Sequence, residues 1–274
     1  MGAVFVMNNS AARNEIISYL RSADGSLERA GTFATGGRGS GGVTDPLESQ
    51  GSLTLSQDHS LLFAVNGGSG EVSVFQVHGS NLVLVDKKTT GGAEPNAVAQ
   101  NGNLLYVLNV GGSSNVVGFT LNAGGHLKPI ANSIRFLTTN NSEAASVAFS
   151  NDGQFLLVSE RATNKIDAFR VRSDGTLGAI VANSSLAPAT FAITFAPNGT
   201  LLVSETGPAG GNNASTISSY SLLPDGTLSP ISIGVATLGN ANCWNAITPN
   251  GHFIYVSNAG SSTISGFSVA ATKG

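Results

Sequence analysis

Short, continuous apolar runs recur along the chain, and six of them end in Asn or Glu. These end residues are Asn8, Asn66, Asn109, Glu160, Glu205 and Asn258, roughly 50 residues apart, the spacing of a structural repeat. Each run is followed by a loop and an alternating segment, such as Val72–Phe75. Asp174-Gly175 and Pro249-Asn250-Gly251 supply the turn chemistry between segments. The pattern predicts units of four short antiparallel strands, a to d.

A four-stranded sheet has two faces to cover, so units that repeat at this spacing should stack around an axis. The prediction is therefore an all-β chain, a β-propeller of four-stranded antiparallel blades in a single domain over residues 1–274. Its predicted repeats span approximately 1–49, 50–92, 93–142, 143–188, 189–239 and 240–274. Because the first unit lacks strand a and the last stops before strand d, we expect either six imperfect blades or a shortened seven-bladed ring.

Composition excludes several functions. Charged residues make up 11% of the chain, the net charge is −3, and the longest basic run is Lys87-Lys88, so nucleic acid is not expected as a partner. The apolar runs are of strand length, far below the roughly 20 residues of a membrane-spanning helix, so no membrane partner is expected. Cys243 is the only cysteine, which excludes an intrachain disulfide and a cysteine metal site. We expect no metal, no cofactor and, from Met1-Gly2-Ala3 running into the first strand, no signal peptide.

Antiparallel order sorts the loops onto the two ends of each sheet. The a–b and c–d turns lie at one end, and that end holds all four histidines, interpreted as solvated turn residues: His59, His78, His126 and His252. The b–c and d–a loops lie at the other, which we call the loop-rich end. It holds every glutamate except Glu28 and the longer loops Gly36–Gln50 and Gly207–Ser215. A ligand site is expected there.

Glu160 and Glu205 stand where the other units end strand b in Asn. One interpretation gives them the loop-capping role of Asn. The other makes them two carboxylates of adjacent blades that act as general base or bind a cation. Arg161 directly follows Glu160 and is either an oxyanion clamp or one half of a surface ion pair. Glu160, Arg161 and Glu205 are the candidate catalytic residues.

Five further residues at the loop-rich end are candidates for ligand binding: Gln50, Glu94, Asn96, Trp244 and Arg38. Trp244 is either an apolar platform for a ligand ring or a plug at the axis. Its neighbour Cys243 is interpreted as a packing residue. The stretch Gly36–Gly42 lacks the Lys and following helix of a phosphate-binding loop.

The strand pattern of Leu105–Asn109 and Ile254–Asn258, with Asp-Gly-Thr-Leu turns, resembles the lactonase-type β-propeller family, which includes 6-phosphogluconolactonase-like and 3-carboxymuconate cyclase-like proteins. The resemblance covers essentially the whole chain. Further stretches resemble the secreted bacterial and fungal branch: Gly36–Gly39, Ser49–Gly51, Ala162–Ile166 and Ala241–Trp244. The resemblance implies seven blades, lactone chemistry and a secreted or periplasmic location. It carries over to Glu160, Arg161 and Glu205, whereas no His maps to the loop-rich end.

The resulting expectation is a lactonase-like hydrolase of a small neutral lactone. Glu160 or Glu205 would activate water, and Arg161 with loop N–H groups would stabilise the oxyanion. The first alternative is a non-catalytic propeller that binds a small molecule, a glycan or a protein at its loop-rich end. The second is a muconate-cyclase-like isomerase in which Arg161 holds a substrate carboxylate. Self-association through the incomplete terminal blades is a further expectation, because open sheet edges pair with other chains.

Overall fold

The structure, a computed structural model, describes residues 2–42 and 47–270. The chain divides into two compact units, Met1–Ile134 and Arg135–Gly274. Each unit contains three antiparallel sheets, numbered 1 to 6 in chain order. The expected all-β fold of six repeated sheets is thus confirmed, while the single domain over residues 1–274 stays a prediction.

The strands of the first unit follow one another in space as they do in sequence. Sheet 1 consists of β1 (Gly2–Met7), β2 (Glu15–Arg21) and β3 (Leu27–Ala34). Sheet 2 consists of β4 (Leu53–Leu55), β5 (Leu61–Asn66), β6 (Glu71–His78) and β7 (Asn81–Thr89). Sheet 3 consists of β8 (Ala93–Asn101), β9 (Leu104–Gly111), β10 (Asn115–Leu121) and β11 (Leu127–Pro129).

The second unit begins with the short strand β12 (Arg135–Phe136) and repeats the same order. Sheet 4 consists of β13 (Ala144–Phe149), β14 (Phe155–Glu160), β15 (Lys165–Val171) and β16 (Leu177–Ser184). Sheet 5 consists of β17 (Thr190–Phe195), β18 (Thr200–Glu205), β19 (Thr216–Leu222) and β20 (Leu228–Ala236). Sheet 6 consists of β21 (Asn242–Ile247), β22 (Phe253–Asn258) and β23 (Thr263–Ser268), with a 3₁₀ turn at Ala259–Ser261.

The core of each unit lies between successive sheets. Every residue of the b strands β5, β14 and β18 is buried, because both faces of these strands are covered. In the second unit, Phe155 and Leu157 of β14 pack in one cluster with Val203 of β18. Leu202, on the opposite face of β18, packs with Val256 of β22. Each such large side chain contributes about 1.5–3 kcal/mol on burial, so the alternation of apolar positions is what stacks the sheets.

Tight turns close the end of each sheet opposite the loop-rich end. In the turn after β15, the Oδ1 atom of Asp174 accepts hydrogen bonds from the N–H of Thr176 at 2.9 Å and from its hydroxyl at 2.7 Å. Equivalent Asp turns recur at Asp24 and Asp225. All four histidines are exposed, as the sequence predicted. In the part of the chain that the structure describes, no helix has the length and apolarity needed to cross a membrane.

Candidate active site at the loop-rich end of sheet 4

Strand a of five sheets is entered through a non-glycine residue in the left-handed backbone region. These residues are Glu48 (φ 44°), Glu94 (φ 50°), Glu143 (φ 47°), Ala189 (φ 61°) and Ala241 (φ 50°). This conformation costs roughly 1 kcal/mol or more and concentrates at functional sites. In the second unit a β-bulge follows in each inner strand, between Ala144 and Ser146 in β13 and at the same place in β17 and β21. Bulges re-aim side chains and are frequent beside active sites.

Glu143 and Arg161 form an ion pair at this entry to sheet 4. The Nε atom of Arg161 donates to Oε2 of Glu143 at 2.9 Å. The Glu143 side chain is 55% exposed and the Arg161 side chain 25%. Such a screened pair contributes at most about 1 kcal/mol to stability. Breaking this ion pair so that Glu143 and Arg161 contact a ligand instead would therefore cost little free energy.

Glu160 ends β14 and is fully buried. Its carboxylate accepts a hydrogen bond from the N–H of Thr138 at 2.8 Å and further bonds from the hydroxyls of Thr138 and Thr163. In sheet 2, Asn66 is held in the same way by the hydroxyl of Thr35 at 2.6 Å. Glu160 thus joins the segment entering sheet 4 and the b–c loop to strand b, as the capping interpretation expected.

Asp167 of β15 lies beside Glu160 and is not among the site residues predicted from sequence. Asp167 is fully buried, and neither of its carboxyl oxygens has a hydrogen-bond donor among the described residues. Burial, then the hydrogen bond that a protonated Asp167 donates to Glu160 and the charge of Glu160, raise the pKa of Asp167 to about 8, although Lys165 opposes the shift. At neutral pH a proton on Asp167 therefore makes it a hydrogen-bond donor to Glu160, because two adjacent buried carboxyls do not both ionise.

The repeat contains the signal that could have identified Asp167. In sheets 2 and 6, the residue seven positions after the end of strand b is a serine whose hydroxyl accepts a hydrogen bond from the side-chain amide of the Asn. Asn66 donates to Ser73 at 2.8 Å, and Asn258 donates to Ser265 at 2.9 Å. Asp167 occupies that position relative to Glu160. Sheet 4 therefore replaces a neutral Asn–Ser pair by two carboxyl groups.

Glu205 occupies the equivalent place at the end of β18 and is also fully buried. The hydroxyl of Thr216 donates to its Oε2 atom at 2.8 Å. Burial raises the pKa of Glu205 to about 7, although hydrogen bonds from Ser218 and Thr216 oppose this shift. Within the described residues Glu160 and Glu205 share no hydrogen-bond partner. The structure thus holds the two carboxylates in separate networks of adjacent sheets.

Sheets 4 and 5, which carry these glutamates, differ from the other repeats at a second position. Where strand b ends in a buried Asn, a glycine covers it so closely that a Cβ atom would lie 2.4–2.5 Å from the Asn Cγ: Gly37 over Asn66, Gly92 over Asn109 and Gly239 over Asn258. These glycines stand two residues after a Thr, and the corresponding positions before sheets 4 and 5 hold Asn140 and Ala187. Sheets 4 and 5 therefore depart from the repeat at two linked positions.

Trp244 and Cys243 lie in β21 of the second unit. The ring of Trp244 packs edge-on against Phe191 of β17, with centroids 5.9 Å apart and planes at 76°. Cys243 is buried in the same apolar cluster as Phe191 and Ala145. Trp244 is half-buried at the margin of this cluster. The interpretation of Cys243 as a packing residue is confirmed.

The other predicted ligand-binding residues belong to the first unit. Glu94 is exposed, and the carbonyl of the buried Asn96 accepts a hydrogen bond from the hydroxyl of Ser49 at 2.6 Å. Arg38 is exposed, and its backbone N–H donates to Ser69 at 2.8 Å. Gln50 is half-buried. Their role in binding stays a prediction. Over the ranges 2–42 and 47–270, no group of three or more His, Cys, Asp or Glu side chains is placed to hold a metal ion.

Comparison with known families decides the relationship. Residues 4–138 and 99–236 match the family model described as "Lactonase, 7-bladed beta-propeller". The chain belongs to this family. The resemblance inferred from the strand pattern is thereby confirmed, and membership of the lactonase propeller family supports a lactonase-like function in general. The family's description names seven blades, whereas the described residues of this member form six sheets.

Solved structures match this lactonase-family chain over nearly its whole length. The periplasmic gluconolactonase of Pseudomonas aeruginosa matches with a TM-score of 0.75 and 20% identity, covering 100% of this chain and 80% of that chain. A protein from Lactobacillus plantarum matches at 0.74 and 18%, covering 99% and 79%. A gluconolactonase from Xanthomonas campestris matches at 0.59 and 12%, covering 95% and 83%. At these identities the likeness shows the β-propeller fold. No curated protein matches the sequence.

Proposed function

We propose that this chain hydrolyses a small neutral lactone at the loop-rich end of sheet 4. The observation that carries the proposal is the ion pair of Glu143 and Arg161, in which Glu143 has a left-handed backbone at the entry to strand a. The family model that the chain matches is described as a lactonase. The pair supplies a carboxylate and a guanidinium within one hydrogen bond of each other. Those are the two groups that ester hydrolysis requires, a base for water and a donor for the oxyanion.

The reaction divides between the two side chains. The carboxylate of Glu143 accepts a proton from water as the oxygen of that water attacks the lactone carbonyl. The guanidinium of Arg161 donates hydrogen bonds to the oxygen on which negative charge develops. Collapse of the tetrahedral intermediate breaks the ring C–O bond, and the proton on Glu143 passes to the leaving alkoxide. The product is an open hydroxy acid, and Glu143 is again a carboxylate.

The substrate class follows from charge. Arg161 is already paired with Glu143, so the site presents almost no net positive charge. A phosphorylated sugar needs several cationic donors for its dianion, whereas a neutral lactone needs one donor at its carbonyl oxygen. We therefore propose uncharged aldonolactones and simple five- or six-membered lactones as substrates.

In this proposal Glu160 and Glu205 act as positioning residues. Both are fully buried and so cannot contact a water molecule in the site. We therefore assign the activation of water, which the sequence suggested for them, to Glu143. Glu160 orients the backbone from which Arg161 projects, because it receives hydrogen bonds from Thr138 and Thr163 on either side. Glu205 has the corresponding place in sheet 5. Removal of either carboxylate should alter kcat and its pH profile more than KM.

A panel of neutral lactones assayed by acid release tests the proposal. We expect Glu143→Gln and Arg161→Gln to lower kcat/KM by on the order of 10²-fold. Asp174→Asn, at the opposite end of the same sheet, is the matched control and should retain wild-type turnover. Thermal melting of each variant separates lost chemistry from lost folding. Unchanged turnover in both site variants would exclude a catalytic role for the ion pair. A wild-type chain that hydrolyses none of the lactones would favour the alternative of a non-catalytic propeller that binds a ligand.

We further propose that the chain acts outside the cytoplasm. The support is the periplasmic gluconolactonase among the matching structures. Fractionation of cells that express the full-length protein, with immunodetection in each fraction, tests this location. Recovery in the cytoplasmic fraction alone would contradict it.

A further inference from the structure

The segment that leaves strand d is tied to the b–c loop of the same sheet by a backbone hydrogen bond that recurs along the chain. An N–H of this segment donates to the carbonyl of the last loop residue at 2.8–3.0 Å in four sheets: Thr35 to Asn14, Thr90 to Gly70, Ser185 to Asn164 and Thr237 to Ser215. The residue directly after each donor is therefore equivalent in the four sheets, and we call it the exposed loop position. It is occupied, in chain order, by Gly36, Gly91, Leu186 and Leu238.

The two units differ at the exposed loop position. The first unit has glycine there, with φ 77° at Gly36 and 71° at Gly91. Leu238 has the same left-handed backbone, with φ 59°, although its Cβ makes that conformation strained. Leu238 is 79% exposed and Leu186 is 59% exposed. A Cβ at Gly91 would meet no atom within 4 Å, so a side chain at this position gains little from packing within the chain. The leucines therefore do not serve the stability of the fold.

Leu186 is held beside the loop that carries Arg161. The N–H of Leu186 donates to the phenol oxygen of the buried Tyr220 at 3.2 Å. Asn164 accepts the recurrent backbone bond on one side of Leu186, and its Oδ1 atom accepts a bond from the N–H of Ala189 on the other side at 2.5 Å. Asn164 stands three positions after Arg161 in the b–c loop of sheet 4. The exposed leucine thus projects from a segment that is fixed against the loop of the proposed site.

The loops around the two leucines carry no charge. Residues 184–189, 206–215 and 237–241 include no Asp, Glu, Lys, Arg or His. A charged substituent would find no partner among them, whereas a hydrocarbon would leave water on contact with the leucines. Packed sheets lie about 10 Å apart, so an extended alkyl chain of about eight carbons would reach from the exposed loop position of one sheet to that of the next.

We propose that the lactone hydrolysed at this site carries an alkyl chain, which lies over Leu186 and extends toward Leu238. The inference rests on the proposed function, because Glu143 and Arg161 hold the lactone ring to which the chain is attached. It narrows the substrate class from neutral lactones in general to those with an apolar substituent. It also gives the strained backbone of Leu238 a role, because strain that does not serve the fold is retained where function needs it.

Three substitutions test the contact. Leu186→Ser removes the apolar side chain next to the loop of Arg161. Leu238→Gly restores the residue that the first unit has at this position and relieves the left-handed strain, so it should not lower the midpoint of thermal unfolding. Leu223→Ser, at a 40% exposed leucine in the c–d turn at the opposite end of sheet 5, is the matched control.

The measurement is kcat/KM for γ-butyrolactone, γ-octalactone and γ-dodecalactone, whose alkyl chains grow from none to butyl to octyl. We expect kcat/KM to rise along this series in the wild type and in Leu223→Ser. Each of the other two variants should lower the ratio of kcat/KM for γ-dodecalactone to that for γ-butyrolactone by on the order of 10-fold.

Two kinds of failure are distinguishable. Equal kcat/KM along the series in the wild type, or an unchanged ratio in Leu186→Ser and Leu238→Gly, would overturn the alkyl-chain contact and leave the lactonase proposal standing. No turnover of any of the three lactones by the wild type would overturn the proposed function, and this inference with it.

Discussion

Replacing Asp167 by Asn removes one ionisable proton from the buried carboxyl pair and leaves the size of the side chain almost unchanged. Asp167 and Glu160 are both fully buried, and Asp167 is the member that must hold a proton for the two groups to bond. An amide donates a hydrogen bond to Glu160 at every pH, whereas a carboxyl does so only while protonated. We therefore expect Asp167→Asn to remove a pH dependence from the stability of the second unit.

The magnitude follows from the shift. In the folded chain the pKa of Asp167 is raised from 3.8 to about 8, so between these values the folded state binds more protons than the unfolded state. The free energy of unfolding then falls as pH rises, by up to about 1.36 kcal/mol per pH unit for one group. The contribution is fully present below about pH 4 and is lost by about pH 8. From about pH 5 to about pH 7 the wild type should lose about 3 kcal/mol relative to Asp167→Asn.

Urea unfolding at a series of pH values, followed by the fluorescence of Trp244, is the assay. Trp244 is the only tryptophan and lies in the second unit with Asp167, so its signal reports the relevant half of the chain. Glu205 also titrates in this range, but it is present in both proteins and cancels in the difference. A wild-type-minus-variant difference that stays constant from about pH 5 to about pH 7 would refute the reasoning.

The control is Asp174→Asn. Hydrogen bonds from the hydroxyl and then the N–H of Thr176 hold the pKa of Asp174 below its ordinary value. Asp174 is therefore ionised in both states across the whole range in question, and its contribution changes only at lower pH. Its removal should shift stability by the same amount at each pH from about 5 to about 7. If the stability difference between wild type and Asp174→Asn also changed with pH over this range, the effect would have to be attributed to surface charge in general.

Two further predictions concern packing in the first unit. Gly92→Ala should lower the unfolding free energy by about 1–3 kcal/mol, because the new Cβ would lie 2.5 Å from the Cγ of Asn109. Gly178→Ala, whose nearest neighbour lies at 3.5 Å, should stay within about 0.5 kcal/mol; equal effects in chemical denaturation would contradict this. Phe63→Ala removes a fully buried ring and should cost about 3–5 kcal/mol; a loss below about 1 kcal/mol would mean that the core of sheets 2 and 3 is not packed as described.

Local patterns were sufficient to predict the strands and the turns. The run Phe155–Glu160 is strand-forming whatever surrounds it, and Asp174-Gly175 makes a tight turn by its own backbone preferences. The sorting of histidines and glutamates onto opposite ends followed from antiparallel order alone. What could not be predicted was the burial of Glu160. Its first hydrogen-bond donor, Thr138, lies 22 residues earlier, and nothing in the sequence places that segment over the carboxylate.

The left-handed backbone of Glu143 could not be predicted for a different reason. Gly and Asn adopt the left-handed backbone far more readily than Glu does. A Glu in the sequence therefore does not indicate that conformation. The repeat did carry a signal, because Glu48 and Glu94 have the same left-handed backbone in sheets 2 and 3, Glu48 before β4 and Glu94 as the second residue of β8. Alignment of the repeats by strand entry rather than by the end of strand b would have brought the three glutamates together.

The departures from the repeat in sheets 4 and 5 bear on both stability and function. A neutral Asn–Ser pair under a glycine fills this position in sheets 2 and 6 without an ionisable group. Sheets 4 and 5 instead hold Asp167 and Glu205, whose raised pKa values mean that burial disfavours their charged forms near neutral pH. Groups that lower stability persist where activity depends on them. The Asp167→Asn variant separates the two explanations: greater stability with reduced lactone turnover would give the carboxyl pair a part in the reaction, whereas greater stability with full turnover would leave it a structural variant of the Asn–Ser pair.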